Sequence, residues 1–301
     1  MSEFDDRPAP VRQQSWPTDT PAELEVTVEV GRVRVLLEEG LDEVRVEVRH
    51  DPTAGGGWAQ GLTGLINWLG SGPPTDERDL AADAVRDAEI SWSEAARRLV
   101  VRSSTELPLR VVPLAVTVTA PVRSRLAVRT GSGDVDVTGR AGWAAVRTGS
   151  GEVAVAAVDG DADLSTGSGG IDVGPVTGRA RVRTGSGRIA LAEAGGPTEV
   201  KTSSGAVRVG AVRSDLGVRT GSGGIVLDDI QTGRVELSSG SGDLRIGVHP
   251  GVTAEVDLSS GSGRARSELE VGAVAPAQPA ALHVRGRTGS GDVLVVRANS
   301  A

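Results

Sequence analysis

The sequence contains no cysteine, no tyrosine, one phenylalanine and five tryptophans in 301 residues. The lack of cysteine excludes disulfide bonds, thiolate nucleophiles and cysteine metal ligands. Because aromatic side chains supply much of the volume of an ordinary core, small aliphatic residues must fill this interior. The chain has no run of 18 apolar residues and no apolar leader segment at its start, so we expect a cytoplasmic protein.

Negative charge is concentrated in the first part of the chain. Residues 1–124 contain 21 acidic and 13 basic residues, a net charge of −8, whereas residues 125–301 contain 19 of each. Nucleic-acid binding requires a basic surface that releases counterions from phosphates, so we expect no nucleic-acid partner.

An internal repeat dominates the second part of the chain. The central serines of its Thr-Gly-Ser-Gly units, or of close variants, are Ser132, Ser150, Ser168, Ser186, Ser204, Ser222, Ser241, Ser262 and Ser290. The first six serines are spaced by 18 residues. Apolar residues alternate on both sides of each unit, a pattern typical of β-strands, and successive coils are expected to pair in parallel. We therefore predict an all-β fold, a single-stranded parallel β-solenoid (β-helix) of about nine 18-residue coils. An N-terminal cap with a short helical insertion precedes it.

The composition divides the chain into four parts. We predict a disordered N-terminal tail at 1–21, a β-rich cap at 22–124 with a helical insertion at 55–88, solenoid repeats at 125–297, and a C-terminal tail at 298–301. The sequence DERDLAADAVRDA predicts a helix over 76–88. Ile90 and Trp92 followed by Leu99 and Val101 predict a hairpin.

The second glycine of the repeat unit is present in every copy. At a corner it permits a positive φ or a close approach between coils. We predict that these glycines are structural turn residues: Gly133, Gly151, Gly169, Gly187, Gly205 and Gly223. The first glycine is replaced by Ser203 in one copy, so it is the weaker constraint.

The units T-G-S-G-[DEG]-[VI]-x-V and the opening LEVTVEVGRVRV resemble the bacterial putative-adhesin family of β-strand-repeat proteins, a domain-of-unknown-function family. The resemblance covers residues 22–297. It implies a β-solenoid without a known enzymatic activity, and it implies the fold more firmly than the function.

Motifs for catalysis and cofactors are missing. The repeat serines do not lie in G-x-S-x-G, and the chain has no phosphate-binding loop. In calcium-binding β-rolls an aspartate stands two residues after the glycine, where this chain has core residues such as Val135, and Asp134 falls one place early. We predict no catalytic residue, no metal site and no cofactor.

Acidic pairs leave one enzymatic alternative open. Asp134 with Asp136, and Asp228 with Asp229, suit a β-helical carbohydrate-active enzyme, which uses paired carboxylates. Such sites usually add aromatic side chains that stack on sugars, and residues 125–301 contain only Trp143. Solvated surface carboxylates are the simpler interpretation.

A basic residue stands three positions before the repeat serine in several copies. This basic ladder consists of Arg129, Arg147, Arg183, Lys201 and Arg219, with Ser165 interrupting it. Its side chains either extend into water and pair with Asp134 or Glu152, or form a linear strip for an acidic partner or an anionic polymer.

A second candidate binding element is an uncharged amphipathic segment within residues 58–69. Its apolar side chains at helical spacing are Trp58, Leu62, Leu65, Ile66 and Leu69. It packs as a cap over the solenoid mouth, binds a partner helix or second copy, or contacts a membrane surface.

Together these patterns predict a non-catalytic, adhesin-like β-solenoid that acts as a protein-interaction or scaffold module, with self-association as one form of that interaction. The expected partner is a protein or a second copy of the chain, with an anionic polymer or a membrane surface as alternatives. A β-helical carbohydrate-active enzyme is the alternative function.

Overall fold

The computed structural model describes residues 10–53, 77–269 and 280–298. The predicted all-β fold is confirmed, because 67% of the structure is strand and 5% is helical. The chain divides into two compact units, one comprising residues 1–139 and 147–150, the other comprising residues 140–146 and 151–301. The predicted segment 58–69 lies outside the described residues.

The first nine strands begin in the earlier part of the chain. They are β1 (Val11–Pro17), β2 (Glu23–Glu38), β3 (Glu43–His50), β4 (Glu89–Ser93), β5 (Arg98–Arg102), β6 (Leu114–Pro121), β7 (Arg125–Ala141), β8 (Trp143–Ser150) and β9 (Val153–Val158). Helix α1 (Glu77–Asp87) and a 3-10 turn (Leu109–Val111) interrupt them.

The later strands lie in the second unit. They are β10 (Ala162–Ser168), β11 (Ile171–Val176), β12 (Ala180–Ser186), β13 (Ile189–Ala194), β14 (Thr198–Ser204), β15 (Val207–Val212), β16 (Leu216–Ser222), β17 (Ile225–Ile230), β18 (Gly233–Ser241), β19 (Leu244–Val248), β20 (Ala254–Ser260), β21 (Ala265–Ser267), β22 (Leu282–Ser290) and β23 (Val293–Arg297).

Each coil of the second unit contains two strands joined at a Gly-Ser-Gly corner, except that Ser203 replaces the first glycine in the coil of β14 and β15. Strand β12 pairs in parallel with β14, and Ser186 lies opposite Ser204, so the pairing register equals the 18-residue period. Strand β13 pairs with β15 in the same way, with Ile189 opposite Val207. Parallel β-solenoid coils of 18 residues are therefore confirmed.

The core is a stack of small aliphatic side chains. Val182, Val200 and Val218 occupy equivalent positions in neighbouring coils and are fully buried. On each of their strands, the residues directly before and after the valine point outward. Burial of one such side chain contributes roughly 1.5–3 kcal/mol, so the regular stack of aliphatic side chains compensates for the missing aromatic residues.

The last two coils do not stack in sequence order. Strand β22 pairs with β18 on one side and with β20 on the other. Strand β23 likewise pairs with both β19 and β21. The expectation that successive coils pair is wrong here, because the coil of residues 282–297 lies between those of residues 233–248 and 254–267.

The first unit also contains parallel pairing. Strand β2 lies beside β7 with Val26 opposite Val128 and Val33 opposite Val135, which is the register of a repeat without its Thr-Gly-Ser-Gly unit. Strand β2 also pairs with β5 and β6, while β3 pairs antiparallel with β1 and β6. The hairpin of β4 and β5 is found with Ile90 opposite Val101, as predicted.

Helix α1 begins and ends within one residue of its predicted bounds. Leu80, Ala81, Ala84 and Val85 form its buried face, and the helix contacts β1, β3 and the 3-10 turn. Trp16 stacks on Trp92 with ring centroids 5.9 Å apart. Among the described residues, no helix is long and apolar enough to cross a membrane.

The second glycine of the corner has a backbone role. Gly187 has a φ of +148°, and a Cβ there would lie 2.5 Å from the carbonyl carbon of Gly169 in the neighbouring coil. Gly205 has the same geometry, with a φ of +153°. Both the left-handed conformation and the close approach of two backbones therefore require glycine.

Buried hydroxyl groups connect neighbouring corners. Thr184 Oγ1 donates a hydrogen bond to the carbonyl oxygen of Gly169 at 3.0 Å, and Thr166 does the same to Gly151 at 3.2 Å. Thr202 is the exception in this part of the structure, because its buried hydroxyl has no hydrogen-bond partner among the described residues.

Candidate functional site

Three residues of the basic ladder, Arg183, Lys201 and Arg219, lie on the outer face of the sheet formed by β10, β12, β14, β16, β18, β22 and β20 in the second unit. We call this sheet surface the ladder face. Because side chains alternate along a strand, the outward residues of stacked strands form columns that run across the strands. Neighbouring members of a column are separated by roughly 4.8 Å, the spacing of paired strands.

One outward column carries the predicted ladder. Its members in stacking order are Ser165, Arg183, Lys201, Arg219, Ser238, Arg287 and Ser259. The structure thus brings Arg183, Lys201 and Arg219 into consecutive coils. Arg129, opposite Thr27, and Arg147 are exposed residues of the first unit.

Arg287 belongs to this column and was missed by the sequence analysis. It stands three residues before Ser290, as Arg183 does before Ser186, and that offset was the available signal. The 28-residue interval before Ser290 concealed the relationship, because it breaks the 18-residue period.

The adjacent outward column, two residues earlier on each strand, is called the middle column. Its members in stacking order are Asp163, Arg181, Glu199, Gly217, Glu236, Arg285 and Asp257. The sign of the charge alternates from coil to coil, which stabilises opposed pairs across strands. Gly217 is the one interruption in this column, and it stands where the alternation would place a cation.

Glu199 connects the two columns. Its carboxylate lies 2.5 Å from Lys201 Nζ, 3.3 Å from an Arg183 nitrogen and 3.4 Å from Arg181 Nε. The hydrogen bond from Lys201 is the largest cause that holds the pKa of Glu199 below its ordinary value. Glu199 thus pairs with two residues of the basic ladder, Arg183 and Lys201, and with Arg181 of its own column.

Arg219 differs from its neighbours in the ladder. It is exposed, and among the described residues it has no hydrogen bond or ion pair with a carboxylate. On the same strand, the outward position two residues earlier is Gly217, which offers no side chain.

A depression of about 410 Å³ opens at Gly217. The charged residues that line it are Arg179, Arg181, Glu199, Asp215, Arg234 and Glu236. A Cβ on Gly217 would meet no heavy atom within 4 Å, and its φ is not in the positive region. The backbone therefore gives no reason for glycine at this position, in contrast to Gly187.

Several carboxylates have structural partners. Glu152 accepts the backbone N–H of Gly170 at 3.1 Å, and Asp243 accepts that of Asp292 at 2.8 Å. These bonds tie one coil to the next, which accounts for acidic residues directly after the corner glycine.

The acidic pairs considered for carbohydrate chemistry are also engaged. Asp136 lies 3.6 Å from Arg34, Asp228 lies 2.8 Å from Arg208, and Asp229 lies 2.9 Å from His249. In the described parts of the chain, no group of three or more histidine, aspartate or glutamate side chains is placed to hold a metal ion.

No protein-family model and no curated protein sequence matches this chain. The chain is similar to the solved structure of a putative adhesin from Bacteroides fragilis, with 10% identity over 95% of this chain and 97% of that chain and a TM-score of 0.41. It is also similar to a putative cell adhesion protein from Clostridium sporogenes, with 9% identity over 95% and 99% of the chains and a TM-score of 0.25. A third similar structure is a putative adhesin from Parabacteroides distasonis, with 12% identity over 96% and 98% and a TM-score of 0.28. These structures have names that agree with the family that the repeat units resemble.

Proposed function

We propose that this protein is a non-catalytic, adhesin-like interaction module that binds an acidic protein surface along the basic ladder. The observation that carries the proposal is the contrast between the two outward columns. The middle column alternates in charge, whereas the ladder column contains cations and serines only.

The contrast has an energetic meaning. Like charges directly opposite each other on neighbouring strands are destabilising by some tenths of a kcal/mol per pair. Arg183, Lys201 and Arg219 occupy three consecutive coils, although serine occupies the equivalent position at Ser165 and Ser238. The fold therefore does not require the cations, and an acidic partner would offset their repulsion.

The geometry of the carboxylates supports a binding role over a hydrolytic one. Glu152 and Asp243 accept backbone N–H groups, and Asp228 pairs with Arg208. Carboxylates held in this way stabilise the stack of coils, and a hydrolytic pair would need one group to carry a proton at neutral pH.

The experiment compares the protein with the variant Arg183→Ser, Lys201→Ser, Arg219→Ser. The chain already places serine in this column, so we expect this variant to fold. A matched control removes three exposed arginines from the strands that follow the corners and from one corner itself, in Arg188→Ser, Arg208→Ser, Arg245→Ser. Arg208 and Arg245 lie on β15 and β19, which belong to the opposite sheet of β11, β13, β15, β17, β19, β23 and β21, and Arg188 directly precedes β13.

Each immobilised protein is exposed to extract of the source cells, and bound proteins are quantified at low and high salt. We expect acidic proteins that bind the original chain and the control, are depleted at least about tenfold by the ladder variant, and dissociate at high salt. Equal binding by the ladder variant would contradict the proposal. Release of reducing ends from polysaccharides by the purified protein would favour the carbohydrate-active alternative.

A further inference from the structure

On the ladder face, Gly217 stands where the charge alternation of the middle column would place a cation. Glu199 and Glu236 flank Gly217 on the two neighbouring strands, and Asp215 lines the same depression. The depression is therefore lined by three carboxylates and three arginines, and the two direct strand neighbours of Gly217 in the middle column are both glutamates. A guanidinium group fits this site because it offers several donors to carboxylate oxygens in a planar fork.

Arg219 is the cation best suited to such a site. It is exposed, has no carboxylate partner among the described residues, and lies only two residues from Gly217 on β16. Within one copy it belongs to the neighbouring column, which it shares with Lys201. In a second copy, the same side chain can point towards the depression from outside.

We propose that two copies of this chain associate through their ladder faces, with Arg219 of each copy in the Gly217 depression of the other. The inference rests on the proposed function, because it names one partner of the same face. It commits to a symmetric contact in which the same residues serve both copies.

The arrangement follows from the order of the columns. A two-fold axis parallel to the columns, running between positions 217 and 219, exchanges the ladder column of one copy with the middle column of the other. Each Arg219 then faces Gly217 at the same coil, and each Lys201 faces Glu199. A two-fold axis across the columns would instead oppose ladder to ladder, which like charges disfavour.

Two pairs of like charge oppose this arrangement and limit its extent. On β22, Arg287 would face Arg285 of the other copy. Arg183 would face Arg181 of the other copy, although Glu199 lies within 3.4 Å of both cations in each chain. We therefore centre the contact on β14, β16 and β18, where Lys201 faces Glu199, Arg219 faces the depression, and Ser238 faces Glu236.

The glycine itself supports the inference. Glycine weakens the interior of a strand, and a side chain at 217 would meet open space on an outward position. The backbone at position 217 does not need glycine, and the missing side chain is what leaves the depression open. Open space between carboxylates is what an incoming guanidinium group requires.

The test measures molar mass by light scattering over a range of protein and salt concentrations, using the full chain. We expect dimers at low salt that dissociate as salt rises. Gly217→Arg fills the depression from within, and Arg219→Ser removes the incoming group. Either change should raise the dissociation constant at least about tenfold. The controls Ala190→Arg and Arg245→Ser, on the opposite sheet, should leave it unchanged.

A mixing experiment distinguishes this contact from a general effect of charge. The Gly217→Arg chain retains Arg219, and the Arg219→Ser chain retains the open depression, so one contact can re-form between them. We expect the mixture to form heterodimers more tightly than either variant forms homodimers, while melting temperatures show that both variants fold.

The outcomes separate the two proposals. A wild-type chain that stays monomeric at all concentrations, or an Arg219→Ser chain that dimerises like the original, overturns the second-copy inference. If acidic proteins still depend on the ladder in the extract experiment, the proposed function stands without it. Dimerisation that is sensitive to Gly217→Arg, in a chain that captures no other protein, supports the inference and identifies self-association as the interaction.

Discussion

Replacing Gly187 by valine tests whether the corner glycine is the tightest constraint in the stack. A β-branched residue at a φ of +148° is strained by roughly 1–3 kcal/mol. Its Cβ would lie 2.5 Å from the carbonyl carbon of Gly169, and the resulting overpacking costs about 1–3 kcal/mol more. We expect a total loss of about 4 kcal/mol in the free energy of unfolding, because the neighbouring coil is held by its own parallel pairing.

Two changes in the same corner serve as controls. Ser186 is exposed, so Ser186→Ala should change stability by no more than about 0.5 kcal/mol. Gly185→Ser places in this coil the residue that Ser203 provides in the next. Its Cβ would lie 2.4 Å from the carbonyl oxygen of Gly167, but its φ is not in the positive region, so it should cost less than Gly187→Val.

Thermal unfolding followed by circular dichroism measures these differences. For a unit of this size, about 4 kcal/mol corresponds to a fall of roughly 10 °C in Tm. Equal shifts for Gly187→Val and Ser186→Ala would refute the assignment of the close backbone approach to Gly187.

Two further predictions concern buried and paired polar groups. Thr184→Val should lower the free energy of unfolding in urea by about 1 kcal/mol, because it removes the hydroxyl that donates to the carbonyl oxygen of Gly169. Thr202→Val should be neutral or stabilising, because the Thr202 hydroxyl is buried without a partner among the described residues. Equal losses of stability in Thr184→Val and Thr202→Val would contradict this description of the two hydroxyl groups. The Glu199 cluster should stabilise the fold above the pKa of the unfolded glutamate and lose that contribution as the pH falls through the lowered folded pKa. In Lys201→Ser the NMR titration of Glu199 should move up towards the ordinary value, and an unchanged titration would show that Lys201 is not the main cause.

The strand register was predictable because the sequence records it several times. Each 18-residue interval repeats the same apolar alternation, so Val182, Val200 and Val218 can be aligned without coordinates, and the structure places them in neighbouring coils. Because each coil of a solenoid contacts only its neighbours, the register predicted for one pair of coils applies to the next, and errors in the predicted register do not accumulate from coil to coil.

The depression at Gly217 was not predictable for the opposite reason. In the sequence, Gly187 is recognisable as the second glycine of a repeat unit, whereas Gly217 lies among alternating apolar residues and carries no such signal. Only the backbone angle and the empty space around its Cβ show that Gly217 leaves a surface position open. The charge alternation of the middle column likewise becomes visible only when Glu199, Gly217 and Glu236 are aligned across strands.

The position of the last coil has a consequence for how the chain is made. Coils up to residues 233–248 can add one after another as they leave the ribosome, each on the edge left by its predecessor. Residues 254–267 emerge next, but their pairing strands in the described structure, β22 and β23, are synthesised later. During that interval the free edge of β18 and β19 is available to the wrong coil, whose similar repeat fits it. Biosynthesis of this end therefore involves either a waiting period or an exchange of strands, and the rate of translation past residue 267 becomes a factor in whether the correct order is reached.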